Sequence, residues 1–472
     1  MELKLNPTGI LNFPQEEAAK LQQLLDVFNA HEAANNIKEK YYDGKVTLRD
    51  VNIGIALPSD LSNLKLGCEW ATKTVDVLAA RSMFDGFVSK QGEDNKLLNQ
   101  ITESNCLVSS YKAACKDELK FGCTFATLSA DQDIKCKIKF HSPQTAAALW
   151  NGTKEQIDCG FAIIDTVPDE SKKDIYVPSH INYYTDEAIW ELIRKDNGWE
   201  AIMHSQKMGR PLMVAFVWNK TSAKPFGRSR IKSTVRSLVD GHIRTVANAT
   251  IGLEFATSPQ KYLLGVTDEQ YDAIVNDKFK TYVGSLLTAT NNPNTGEKPD
   301  FGQLSQGSLQ PHIDMMRMLA TQFAAETGLS VTDTGVINDA NPTSSDAILA
   351  QSKTLVSLAE ELNSGNGDAL RLIARMALAI ANDTTLDNLD KSADVIAHFK
   401  NPAMPNIAST ADAAIKLAGA RSSFANTDIF LEMVGFSPAD IVRIKAQEQR
   451  ARGLALVTEL EVNNANINEG LA

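Results

Sequence analysis

The sequence contains no G-x-x-x-x-G-K-[ST] string, the glycine-rich loop whose backbone N–H groups cradle phosphates, so no motor ATPase site is expected. It also has no G-x-S-x-G nucleophile turn. The 7 histidines, at positions 31, 141, 180, 204, 242, 312 and 398, never stand four residues apart, and only His312-Ile-Asp314 puts a carboxylate close by. Neither a metal nor another cofactor is therefore expected, and His312 reads as a solvent-facing residue near a helix start. The 6 cysteines, Cys68, Cys106, Cys115, Cys123, Cys136 and Cys159, show no C-x-x-C spacing, so they read as reduced and mostly buried apolar residues. Long apolar runs are missing too: charged residues interrupt each one before it could span a bilayer. The opening Met1–Asn6 lacks the basic patch and apolar stretch of a secretory signal. A cytoplasmic chain without a membrane segment is expected.

What is present is length and acid. A chain of 472 residues exceeds what a single core usually organises, so two or more packed regions are expected. The 58 acidic residues outnumber the 47 basic ones for a net charge of -11, which argues against broad gripping of nucleic acid, a task that usually needs a basic surface. Paired carboxylates such as Glu16-Glu17, Asp268-Glu269 and Glu360-Glu361 read as solvated helix faces.

Apolar periodicity divides the chain into helical and extended stretches. Leu21, Leu24, Leu25, Val27 and Phe28 recur at helical spacing between Phe13 and Asp43, and Gly44 closes that segment. Further helices are expected at about 61–83 and 95–121. From Phe121 to Trp218 the pattern shortens to β-like runs, among them Phe125–Leu128, Ile134–Phe140, Phe161–Ile164 and Leu212–Trp218. In the second run Lys135, Lys137 and Lys139 alternate with apolar residues, so one face is wet. A long helix of about 40 Å is expected over 228–255, with Ile231, Val235, Leu238, His242, Val246, Ala249 and Leu253 on one face. Lys232, Arg236 and Arg244 lie beside that stripe and make a basic face. The glycines and prolines of 258–300 limit that stretch to short elements. Helices then return at 309–327, 344–363 and 368–382, with a last group after Pro405 ending in 440–460 and a disordered tail from Asn463. Ser364-Gly-Asn-Gly367 reads as a turn between two helices, with Asp368 as the next N-cap. The fold class is thus α+β, mainly helical.

Four strings resemble, in their order, the portal proteins of long-tailed phages. The first is Tyr41-Tyr-Asp-Gly44, followed by a helix with Trp70, Val75-Asp76, Ala80-Arg81 and Gly86-Phe87. The second and most specific is Pro225-Phe-Gly-Arg-Ser-Arg-Ile231, where proline and glycine make a turn and Ser229 can cap the long helix. The third is Ser258-Pro-Gln-Lys-Tyr-Leu-Leu-Gly265. The fourth is Gly328-Leu329 with Asn341-Pro-Thr-Ser-Ser-Asp-Ala347, where Thr343 and Asp346 resemble a capping box. Ser330 stands where the family commonly has proline.

The resemblance implies a portal fold with wing, stem, clip and crown regions, and a structural protein instead of an enzyme. Residues 1–227 would form the wing, 228–255 the stem helix, 256–295 a second stem element and the clip, 296–312 the tunnel loop, 313–400 returning wing helices, and 401–472 the crown and tail. It further implies a homo-oligomeric ring, a dodecamer, at the capsid vertex of the virion, assembled in the host cytoplasm. Its partners would be the terminase large subunit, major capsid and scaffolding proteins, a head-tail connector, and double-stranded DNA passing without sequence specificity. Lys232, Arg236 and Arg244 are the expected contacts to DNA phosphates or to acidic residues of the adjacent subunit. Gln303, Leu304, Ser305, Gln306, Gly307 and Ser308 are the expected tunnel loop, polar and uncharged so that phosphate slides past. An acidic lumen would likewise repel phosphate. Two rivals stay open from the residues alone: another phage head or connector protein, and a cytosolic hydrolase with its catalytic residues scattered between Phe121 and Trp218.

Overall fold

A computed structural model describes residues 3–50, 66–89, 96–168, 176–196, 198–257, 261–265, 267–269, 272, 291, 296, 298–303, 307–335, 345–389, 394–403, 407–436, 440–441 and 443–454. The chain forms two compact units, Met1–Pro402 and Ala403–Ala472. Among the described residues, no helix is long and apolar enough to cross a membrane.

In the first unit, α1 (Gln15–Tyr42) starts after Pro14 and ends at Asp43-Gly44, close to the expected bounds. Its stripe of Leu21, Leu24, Leu25 and Phe28 is buried against a five-stranded antiparallel sheet, with the Phe28 and Phe161 rings 5.5 Å apart. That sheet is a meander of β4 (Ala146–Asn151), β5 (Gln156–Pro168), β6 (Tyr176–Tyr184), β7 (Ala188–Lys195) and β8 (Gly198–Ser205). Only part of β5 was visible as an apolar run. The other strands do not stand out as apolar runs: β6 and β8 carry polar residues such as Ser179, His180, Asn182, Glu200 and His204 around their few buried ones.

The second helix is shorter than its apolar pattern: α2 covers Trp70–Ala79, and residues 61–65 lie outside the described set. The sequence also suggested a single helix over 95–121, whereas the structure has α3 (Lys96–Ser104) and α4 (Leu107–Phe121), broken at Cys106, whose φ is 47°. The cause is Asn105. Its side-chain amide donates to the carbonyls of Ile101 and Cys136 at 2.9 Å each, and its Oδ1 accepts from the Ile138 N–H at 2.8 Å. These bonds tie the helix end to a strand and turn the chain.

A three-stranded antiparallel sheet, ordered β3-β2-β9, is built from β2 (Cys123–Asp131), β3 (Lys135–His141) and β9 (Met213–Val217). In β3, Cys136 and Ile138 are buried while Lys135, Lys137 and Lys139 are exposed, as their alternation suggests. A long helix, α7 (Ser345–Ala381), lies across this sheet. It runs unbroken through Ser364-Gly-Asn-Gly367, so the turn expected there, with Asp368 as a cap, does not exist. Residues 341–344, with the expected capping box, lie outside the described set. The strand β1 (Phe84–Ser89) pairs antiparallel with β12 (Val395–Phe399), joining the early and late parts of the unit.

Next in the chain comes α5 (Ser233–Thr257), then a short hairpin of β10 (Lys261–Leu264) and β11 (Asp300–Gln303), then α6 (Gln310–Thr327). Helices α5 and α6 run antiparallel. A Cβ on Gly241 would sit 3.2 Å from Leu319 Cδ2, and one on Gly252 3.3 Å from Leu309 Cδ2. These two glycines lie on one face and let the helices approach closely. In the second unit, α8 (Ile407–Ala420) is followed by α9 (Asp428–Val434), capped by the Thr427 hydroxyl and closed by Gly435 in the left-handed region. Residues 443–454 are helical, and Lys445 meets Asp428 at 2.5 Å.

Candidate functional site

The string Pro225–Ile231 leads into α5, and each conspicuous residue in it has a structural task. Gly227 has a φ of +67°, and a Cβ there would lie 2.0 Å from the Trp218 carbonyl, so no other residue fits. Ser229 does not cap α5, which begins four residues later. Its hydroxyl donates to the Lys120 carbonyl and accepts from the Ile231 N–H at 2.9 Å, pinning an extended segment to the end of α4. Arg230 is buried without a carboxylate partner: its guanidinium donates to the Thr74 carbonyl at 2.7 Å and the Thr327 carbonyl at 2.6 Å. Burial lowers its pKa to about 10. Since Thr327 is the last residue of α6, the cation also meets the negative end of that helix. One arginine thus bonds α2 and α6 at the point where α5 departs.

The buried stripe of α5 is Val235, Val239, Ile243 and Ala247, a row at steps of four. The expected stripe shared Ile231 and Val235 with the buried set, but Leu238, His242, Val246 and Ala249 are only half-buried and Leu253 is 47% exposed. The row beside the buried one holds Lys232, Arg236, Asp240 and Arg244, so the basic face has a carboxylate at its centre. Tyr41 donates its hydroxyl to Asp240 Oδ1 at 2.7 Å, the Arg236 guanidinium lies 5.9 Å from the Tyr41 ring centre, and Arg244 Nε donates back to the Asp240 carbonyl. Burial raises the Asp240 carboxyl above its usual range, against the pull of Tyr41 and the two arginines. Lys232 is exposed just ahead of the helix.

Lys232 and Arg236 also open onto a cleft of about 590 Å³ between α1, the starts of β2 and β4, and the segment 224–233. Phe28, Phe121, Phe125 and Phe226 line its walls, and Lys38, Lys224, Arg228, Lys232 and Arg236 supply five cations. Lys38 donates to Asn35 Oδ1 at 3.1 Å and to the Phe121 carbonyl at 3.2 Å. Burial chiefly, with Arg236 adding repulsion, holds its pKa below the usual lysine value. This cleft was not visible in the sequence, because its cations come from α1 and from the α5 entrance, almost 200 residues apart.

Of the expected tunnel loop, Gln303 is the exposed last residue of β11, and Gly307 and Ser308 are exposed ahead of α6. Leu304, Ser305 and Gln306 lie outside the described residues. The Ser308 hydroxyl accepts from the Gln310 N–H at 3.2 Å, and His312 is half-buried in the first turn. Beyond it, Ile313, Met315 and Met318 stand exposed on α6, while Leu319, Ala320, Phe323 and Ala324 are buried.

Sequence reasoning missed a polar cluster inside the first unit. Glu118, wholly buried, accepts from the Asn366 amide at 2.7 Å, and Asn366 also donates to the Tyr111 hydroxyl, which bonds Ser82 at 2.7 Å. Between Phe121 and Trp218, His141 Nε2 lies 2.9 Å from Thr127 Oγ1, both buried within the sheet, and burial drives the imidazole pKa down to about 4. On the surface of the larger sheet, Glu191 joins His180 and His204 at 3.2 and 3.0 Å. Among the described residues, no group of three or more His, Cys, Asp and Glu is placed to hold a metal ion. All six cysteines are free, and Cys106 alone is exposed.

No curated protein sequence matches the chain. Among solved structures, the chain is similar to the neck of the empty gene transfer agent particle computed with C6 symmetry, at 12% identity and a TM-score of 0.45, covering 78% of this chain and 90% of that one. It is similar to the virion of the native gene transfer agent particle at 11% identity and a TM-score of 0.42, and to the neck of the native particle computed with C12 symmetry at 13% and 0.43, with the same coverage. The family described as phage portal protein, SPP1 Gp6-like, matches residues 13–451. That match takes in α1, both sheets, the α5–α6 pair and all of α7, and by it the chain belongs to the SPP1 Gp6-like family of phage portal proteins and serves as a portal subunit.

Proposed function

We propose that copies of this chain close into a ring, a dodecamer, around the channel through which DNA enters and leaves the capsid, and that the ring docks the terminase large subunit during packaging and a head-tail connector afterwards. Capsid and scaffolding proteins surround the ring during assembly in the host cytoplasm. The observation that carries this reading is the family match across nearly the whole chain. The exposed apolar residues Ile313, Met315 and Met318 on α6 and Leu253 on α5 support it, since such side chains on a helix pair call for a cover. A closed ring needs a heterologous contact, in which one patch meets a different patch of the next copy.

In this reading residues 1–227 and 313–400 make the wing, α5 the stem helix, 256–295, which holds β10, a second stem element and the clip, 296–312, which holds β11, the tunnel loop, and 401–472 the crown and tail. Lys232, Arg236 and Arg244 face the neighbouring subunit or the DNA, and Gln303–Ser308 border the lumen. The subunit performs no chemical step; the terminase supplies the work of translocation. Negative-stain images of the purified protein test the reading: rings with a central hole are expected, and compact monomers at every concentration and salt would overturn it.

A further inference from the structure

The basic cleft at the entrance of α5 is out of keeping with the rest of the chain. The protein carries 58 acidic residues against 47 basic ones, yet the described lining of this cleft holds five cations and not one carboxylate. Lys38, Lys224, Arg228 and Lys232 form no ion pair with any described carboxylate. Arg236 keeps its Nε buried with no hydrogen-bond partner, turned instead over the Tyr41 ring. Gathering like charges on partly apolar walls is unfavourable in an isolated subunit, since repulsion strengthens where water is thinned out. Such an arrangement becomes favourable once an anionic group enters and supplies the missing acceptors.

The size and walls of the cleft narrow the choice of occupant. At about 590 Å³ it has the volume of a pocket for a few side chains. A DNA duplex is a stiff rod with its phosphates on the outside, and it cannot enter such a recess. The rings of Phe28, Phe121, Phe125 and Phe226 suit a segment that combines apolar and acidic side chains, which a polypeptide can offer and a bare anion cannot. An acidic portal subunit brings such segments with every copy. We propose that this cleft is the receiving half of the subunit contact and takes a carboxylate-bearing segment of a second copy of this chain. The assignment rests on the ring reading above and adds to it the site and the chemistry of the contact. It also fits a heterologous interface: a recess that takes a segment of the next copy can leave that copy's own recess open to a third, so the contact can propagate around a ring.

The test reverses charge where folding is not at stake, because Lys224 and Arg228 are both exposed. The double variant Lys224→Glu, Arg228→Glu should melt as the wild type does, while the fraction of protein in rings, read by mass photometry at fixed concentration and salt, falls by at least about tenfold. Should reversal disturb folding, the milder Lys224→Gln, Arg228→Gln pair serves the same reading. In rings assembled from isotope-labelled and unlabelled copies, a zero-length carbodiimide cross-linker should join Lys224 or Lys232 to an aspartate or glutamate of the other copy. Rings that form from the charge-reversed protein as readily as from the wild type would overturn the assignment, and so would cross-links confined to single copies. Variant rings that persist but lose binding of a short duplex oligonucleotide would hand the cleft to nucleic acid and also overturn it. A wild type that never forms rings would instead remove the ring reading on which the assignment stands, so the two failures are told apart by the unaltered protein.

Discussion

Asn366 donates its side-chain amide to Glu118 Oε2 at 2.7 Å, in a place where both residues are at most 1% exposed. The bond joins the middle of α7 to α4 and explains why the helix continues where its glycines suggested a turn. Glu118 Oε1 has no partner of its own. Burial pushes the carboxyl pKa up to about 8, only partly opposed by Asn366.

Stability should therefore fall as pH rises through this carboxyl. In the folded state Glu118 keeps its proton up to about pH 8, whereas in the unfolded chain it loses it near the ordinary carboxylate value, so the folded form binds more protons between the two. The contribution is full below the unfolded pKa and is lost at roughly 1.4 kcal/mol per pH unit on the way up to the folded one. Glu118→Gln should melt at a higher temperature than the wild type at pH 8, with the gap closing by pH 5. An equal gap at both pH values would show that the proton is not the cause.

The two glycines beside Asn366 should differ from the residue they flank. A Cβ on Gly365 meets nothing within 4 Å, and in mid-helix Gly365→Ala should stabilise the protein by about 0.5–1 kcal/mol in urea titration. Asn366→Leu strips Glu118 and Tyr111 of a shared donor, and a loss of roughly 2–3 kcal/mol is expected in the same titration.

At the α5 entrance, Gly227→Ala combines a left-handed backbone with a Cβ driven into the Trp218 carbonyl. It should cost at least about 2 kcal/mol and weaken the Ser229 and Arg230 anchors that follow. A melting temperature within a degree of the wild type would contradict this placement.

Purified rings should bind duplex DNA weakly and without sequence preference. Each retained phosphate contact adds about 0.9 to the log-log salt slope. Fluorescence anisotropy at several salt concentrations should show a shallow slope, and a slope matching many contacts would mean that the lumen grips its cargo. Replacing 302–310 with a Gly-Ser linker should lower the DNA packaged per particle.

The parts of the fold that periodicity reveals are those whose burial is local. Helix α1 and the Lys135–Lys139 alternation followed directly from apolar spacing, because one neighbouring sheet or one wet face decides them. Three features escaped for a common physical reason: their causes lie far along the chain. Cys106 breaks a helix because Asn105 bonds to Cys136 and Ile138, and Gly365–Gly367 stay helical because Asn366 reaches Glu118. Strand β1 exists only opposite β12. The shared row of Lys232, Arg236 and Arg244 was legible from its spacing, but Asp240 in its midst and Lys38 across the cleft were not, because Asp240 is held by Tyr41 and Lys38 comes from α1, both far along the chain.

The pairing of β1 with β12 also sets an order of events during synthesis. Phe84 leaves the ribosome long before its partner Phe399, with roughly 300 residues between them. At about 5–20 residues per second, that is a wait of roughly 15–60 s. Throughout it β1 is an open edge, and both sheets and the α5–α6 pair emerge before the strand that fastens the two ends of the unit. A growing chain on a polysome therefore offers Phe84–Ser89 to wrong partners until Val395–Phe399 is made. A free peptide of sequence Val395–Phe399, supplied during translation, should compete for that edge and delay the moment at which a newly made subunit becomes resistant to protease.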